Sequence, residues 1–141
     1  RVLDDFEIQE NFVELFDDKG KNQLSLIYRG SIHGFSAQDF HNICDGKANT
    51  VSLIRTTKGH IFGFYTPIPW SSAGNGKVHQ SISYLLRFID GKIIKRALIK
   101  KSQEVCHSKD LLCSCGDVSI VTNCNMNNNS YTCLYEYEQP T

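Results

Sequence analysis

The stretch GFSAQDFHNICDGK at 34–47 limits what this chain can fold into more than any other, because almost every residue in it has one local role. Ser36 is a natural helix N-cap, since its hydroxyl accepts from an amide of the first turn. Asp39 stands three residues later, where a capping box wants an acceptor, although Glu or Gln would reach back better. Phe35 and Phe40 have the spacing of a hydrophobic staple. Phe40, Ile43 and Cys44 fall at i, i+3 and i+4, one apolar stripe, and Gly46 supplies a left-handed stop after Asp45. His41 and Asp45 share the opposite side at i and i+4. The spacing therefore predicts a short, firmly capped helix with an apolar face and a polar face.

On either side of this helix the chain reads as mostly β. Leu24, Leu26 and Tyr28 alternate with Ser25, Ile27 and Arg29, which predicts a strand. Val51 to Thr56 and His60 to Thr66 are β-rich runs separated by Thr57-Lys58-Gly59, the pattern of a hairpin. Gly63 inside the second run predicts a bulge or a close backbone contact. The two prolines of Pro67-Ile68-Pro69-Trp70 end that strand in a rigid loop, because they remove amide donors and fix the backbone. Val78, Ile82, Leu85, Leu86 and Ile89 recur at helical spacing, which predicts a second core helix stopped by Asp90-Gly91. Strands are expected at Ile93 to Ile99, Val118 to Thr122 and Tyr131 to Tyr137, with Cys106 to Gly116 irregular and Asn123 to Ser130 a polar loop. At the start, Phe6, Phe12, Val13 and Phe16 lie among acids and predict an amphipathic helix over 1–18 ahead of a body over 23–137. The sum is a single β-rich α+β domain over 1–141.

Charge and cysteine content narrow the function. Lys plus Arg and Asp plus Glu both number 15, so no overall field recruits nucleic acid or a membrane surface. The charge is uneven, however: the first 18 residues are acidic, and Lys92 to Lys101 is basic, blocks that usually form solvated faces but can steer a protein partner. No apolar run approaches the roughly 18 residues of a membrane span. The sequence does not begin with Met and is expected to be a fragment of a longer protein. Six cysteines in a chain with this much core point to reduced thiols in a cytoplasmic protein rather than to a disulfide scaffold.

Across Leu26 to Ser72 the residues form a larger pattern. Arg29-Gly30, Gly34-Phe35-Ser36, Phe40-His41, Cys44-Asp45-Gly46-Lys47, Gly59 with Ile61-Phe62-Gly63, and Pro69-Trp70-Ser71-Ser72 together resemble the TLDc domain of the oxidation-resistance protein family. The likeness continues more loosely from Cys115-Gly116-Asp117 to Asn129-Ser130-Tyr131. The resemblance implies two antiparallel sheets packed as a sandwich with peripheral helices. It also implies a non-enzymatic interaction module of eukaryotic cells, linked to oxidative-stress protection, that needs no cofactor and in several members binds the vacuolar proton-pumping ATPase. Three features depart from the pattern. Phe64 replaces an expected second glycine before Tyr65, His79-Gln80 lacks an expected acid, and the sequence stops at Thr141 before a further acidic-aromatic strand.

Four residues of the shared block are the candidate binding residues: Arg29, His41, Asp45 and Trp70. Arg29 at a strand end can pair with Asp45 and lock the intervening loop, or meet a partner. Trp70 can cap the core or anchor an interface. Two chemical alternatives stand beside the binding reading. His41 and Cys44, three apart on a helix, offer an imidazole-activated thiolate for a thiol enzyme or peroxide-reactive protein, whereas the apolar stripe would bury and quieten the thiol. Cys106, His107, Cys113 and Cys115 are enough soft ligands for a small zinc module, but the spacing is not the paired C-x-x-C, and adjacent ligands converge poorly on one ion.

Overall fold

The structure, a computed structural model, describes residues 24–73, 75–79, 84–90, 92–97, 105–115, 118–126 and 131–132. The acidic segment 1–18, and the expected strand beyond Thr132, lie outside the described residues.

Among the described residues the fold shows two antiparallel sheets and two short helices. Helix α1 is a single turn, Gly30–His33, and α2 is Ala37–Cys44. Strands β1 (Thr50–Arg55), β2 (Ile61–Thr66), β4 (Tyr84–Ile89) and β5 (Lys92–Ala97) form one sheet in the order β1-β2-β4-β5. Strands β3 (Asn75–His79), β6 (Val105–Ser108), β7 (Leu111–Cys115), β8 (Val118–Val121) and β9 (Tyr131–Thr132) form the other in the order β3-β6-β7-β8-β9. The core lies between them. Phe64 and Leu85, directly opposed in register on the first sheet, meet Leu112, Cys113 and Ile120 of the second, and Ala37, Phe40, Cys44 and Trp70 complete the cluster. This is the α+β sandwich that the resemblance implies.

The hairpin β1–β2 forms where the two runs predict it, with six paired positions from Thr50↔Thr66 to Arg55↔Ile61. Gly63 is needed there for close approach rather than for a bulge. The register through it is continuous, and a Cβ on Gly63 would sit 1.9 Å from the carbonyl oxygen of Ser52. Phe64, at the expected second glycine, is fully buried and fills the core instead.

Three expectations are overturned. The described residues of the stretch Val78 to Ile89 do not form the predicted helix: 78–79 belong to β3 and 84–89 to β4, in different sheets. Leu85 packs into the sandwich while Leu86, its neighbour, is buried on the opposite face. A strand that is apolar on both faces loses its period-2 signal, and the surviving spacing imitates a helix. Asp90 then stands in the tight connection between β4 and β5, with Ile89 paired to Lys92 and its own φ at +50°, the backbone that hairpin turns require. The predicted strand at Leu24 to Arg29 is irregular chain, because Tyr28 is drawn onto Phe40 and donates its hydroxyl to the Gly34 carbonyl rather than joining a sheet. Conversely, most of the stretch from Cys106 to Gly116 is regular: β6 and β7 pair there as a hairpin. Their short length hides any alternation.

Gly63→Ala should cost about 3 kcal/mol, since the added methyl meets backbone and not a mobile side chain. Urea unfolding of the two chains measures it. A loss below about 0.5 kcal/mol would mean that β1 can move aside.

Candidate functional site

Helix α2 carries the candidate site, and its local chemistry is as the residues predict. The Ser36 hydroxyl accepts from the Asp39 amide at 3.0 Å, and Asp39 Oδ2 accepts from the Ser36 amide at 3.3 Å, a complete capping box. The Ala37 amide, another first-turn donor, reaches Thr122 Oγ1 at 3.0 Å and ties the helix start to the turn after β8. At the other end Gly46 has φ +78°, which only glycine adopts without strain, and the Lys47 amide returns to the Cys44 carbonyl at 2.9 Å. Phe40 and Cys44 face the core as the stripe predicts. The ring of Phe35 lies against Gly30 in α1.

The polar face is not a solvent face. His41 is only 7% exposed, and both of its ring nitrogens are engaged. Nε2 lies 2.9 Å from the Ser108 carbonyl and 2.8 Å from the Leu111 carbonyl, the two ends of the β6–β7 turn. Carbonyls only accept, so this nitrogen carries hydrogen. Nδ1 lies 2.6 Å from Asp45 Oδ1. The ring thus bridges the Asp45 carboxyl on one side and the β6–β7 turn on the other.

Asp45 in turn holds the segment that follows β2. Its Oδ2 accepts from the Ser72 amide at 2.9 Å and from the Ser72 hydroxyl at 2.6 Å. Asp45 also forms a parallel bridge with Trp70, where the Gly46 amide donates to the Trp70 carbonyl at 2.9 Å and the Trp70 amide to the Lys47 carbonyl at 3.3 Å. Burial alone would raise the Asp45 carboxyl, but the bonds from Ser72 and His41 outweigh it and hold it below the ordinary carboxylate range.

The four candidate residues are thus placed unequally. Trp70 is 3% exposed, edge-on to Phe40 and Phe64, with its indole N–H donating to Thr50 Oγ1 at 2.9 Å, so it closes the core. His41 and Asp45 meet each other and clasp two loops. Arg29 is not brought to Asp45 by any bond among the described residues; it is the N-cap position of α1, where its amide donates to His33 Nδ1 at 2.9 Å. Ser72, within the shared block but not singled out from the sequence, proves to be the residue that completes the site. The Ser108 and Leu111 carbonyls were beyond sequence reasoning altogether, because every residue has one.

The thiol reading fares poorly in this geometry. Burial pushes the Cys44 thiol up to about 11, the Asp45 carboxylate adds to the shift, and Lys47 opposes it. The imidazole of His41 is committed to Asp45 and the β6–β7 turn. Among the described residues no cluster of three or more His, Cys, Asp or Glu could hold a metal; of the zinc set, the side chains of Cys106 and Cys115 lie outside the described ones.

Two measurements follow from the clasp. Because the folded carboxyl of Asp45 is depressed, its contribution to stability is complete above the ordinary carboxylate range near pH 4 and is lost as pH falls through the folded value. Asp45→Asn should be less stable than the parent at pH 7 by about 1–3 kcal/mol and should close that gap on acidification. A gap that is constant with pH would remove the charged clasp. Thiol labelling of the folded chain should spare Cys44 until denaturant is added.

A family model described as TLDc domain matches residues 2–138. No curated protein matches the chain, and no solved structure does. The match covers nearly the whole sequence, including both sheets and the clasped helix, and on that ground the chain belongs to the TLDc domain family, a family associated with oxidative stress.

Proposed function

We propose that this chain is a non-enzymatic protein-interaction domain of the cytoplasm that acts in oxidative-stress protection by binding subunits of the vacuolar proton-pumping ATPase. The partner is suggested by membership of the family. The observation that carries an interaction role is a set of large exposed apolar side chains in α1 and in segments tied to it. Ile32 in α1 is 66% exposed, Leu26 is 61% exposed and Met126 is 84% exposed. All three belong to segments fastened to one turn. Tyr28, two residues after Leu26, stacks on His33 and donates to the Gly34 carbonyl. Asn123, which accepts from the Met126 amide, donates its own amide to the Phe35 carbonyl at 2.8 Å. Large apolar side chains left exposed on segments pinned to one turn suit a protein partner better than a small substrate.

In this reading Arg29, at the head of α1, borders the contact surface. His41, Asp45 and Trp70 act from behind it, holding α2 against both sheets so that the surface keeps its shape. A domain of this kind docks without crossing a bilayer, and no helix among the described residues is long and apolar enough to cross one.

Affinity capture from a eukaryotic lysate with the full chain should recover subunits of the proton pump. Ile32→Asp and Met126→Asp should each reduce recovery about tenfold, the loss of one anchoring side chain, while leaving the thermal midpoint unchanged. Undiminished capture by both variants would move the interface elsewhere. Capture of no pump subunit by the parent chain would overturn the partner.

A further inference from the structure

The segment from Leu24 to Tyr28 has the alternation of a strand and yet joins neither sheet. Its sequence, Leu-Ser-Leu-Ile-Tyr, holds no charge, no proline and no glycine, a composition that pairs readily with another extended chain. Among the described residues the amides and carbonyls of Ser25, Leu26 and Ile27 enter no hydrogen bond. Leu24, Leu26 and Ile27 are exposed, by 37%, 61% and 37%. Strand-forming sequence with its backbone groups left to water is a template for a strand from outside the chain.

One end of the segment is fixed. The Tyr28 ring lies edge-on to Phe40 and its hydroxyl donates to the Gly34 carbonyl, while the Arg29 carbonyl accepts from the Ile32 and His33 amides of α1 at 3.0 and 2.9 Å. A row held in this way loses little freedom when it pairs. The absence of charge decides which strand it suits, because an uncharged segment sets no like charges against a copy of itself. In an antiparallel ladder centred on Leu26, position 24 stands opposite 28, 25 opposite 27, and 26 opposite its own mate, so both copies present the same edge. The two Arg29 side chains, the first charges after the segment, then fall at opposite ends of the ladder, roughly 20 Å apart at about 3.4 Å per residue.

We propose that Leu24 to Tyr28 is a dimerisation strand, through which two copies of this chain pair antiparallel about Leu26. Main-chain hydrogen bonds supply the affinity, and the contact of Leu26 with its mate sets the register. A ladder this short lies at the low end of interface size, so the pairing is weak and depends on concentration. Leu26 also belongs to the surface proposed above for the pump. Ile32 and Met126, the residues that test that surface, lie outside the ladder, so the two proposals fail separately.

The test uses the full chain in analytical ultracentrifugation, at concentrations up to about 1 mM, the range of weak association. The parent should pass from monomer to dimer over this range. Because position 26 faces itself, Leu26→Lys and Leu26→Asp should each weaken dimerisation about tenfold by placing like charges opposite one another, and an equimolar mixture of the two should dimerise again. Both substitutions are at an exposed side chain, so the thermal midpoints should match that of the parent. A parent that stays monomeric throughout would overturn the proposal. So would a dimer that Leu26→Lys leaves intact, which would put the contact elsewhere, or a mixture that does not re-form it, which would remove the self-opposed register. Should either charged variant not fold, Ser25→Pro, which takes an amide from the segment, should weaken the dimer, and Ser25→Ala should not; equal dimerisation by these two would overturn the pairing.

Discussion

Asp45 is the group on which the arrangement of this domain turns. One oxygen takes His41 and through it both ends of the β6–β7 turn, and the other takes the amide and hydroxyl of Ser72. A side chain at the last turn of an eight-residue helix thereby joins that helix to the second sheet and to the loop that leaves the first. Hydrogen bonds to a charged acceptor are stronger than neutral ones, and a partly enclosed carboxylate left without them would be costly. The clasp is therefore obligatory once the helix sits where Phe40 and Cys44 place it.

The aromatic packing depends on the same geometry. Trp70 is held by backbone bonds to the 46–47 turn while its ring meets Phe40 from the helix and Phe64 from the first sheet, with centroids 5.5 and 6.2 Å away. Tyr28 meets Phe40 edge-on at 5.2 Å. These contacts carry the apolar side of the helix into both layers. Helix α2 is thus a peg with two different faces, one dry and one polar, and both are buried. That division sets the histidine and the thiol, three residues apart, on different faces with different partners.

The polar face at the clasp and the apolar surface around α1 serve different ends. The first is spent internally. The second is left outside, on a turn pinned by the Asn123 amide and the Tyr28 hydroxyl, where it can meet another protein without the chain having to reorganise. A pinned surface binds with less loss of conformational freedom than a loose one. Family membership and this division of labour agree on an interaction domain.

What the amino-acid sequence determined by itself was local. The cap at Ser36, the stop at Gly46 and the apolar stripe depend on residues within a few positions of one another, the β1–β2 hairpin and the tight approach at Gly63 on residues one turn of chain apart, and each is present in the structure. The spacing of His41 and Asp45 was equally legible, as a pair. Tertiary structure decided which side of that pair faces water, since the acceptors for His41 are carbonyls nearly seventy residues away that no side chain announces. It also decided that Tyr84 to Ile89 is a strand. Burial on both faces erased the alternation that would have marked it, and only the neighbouring strands β2 and β5 could supply the missing bonds.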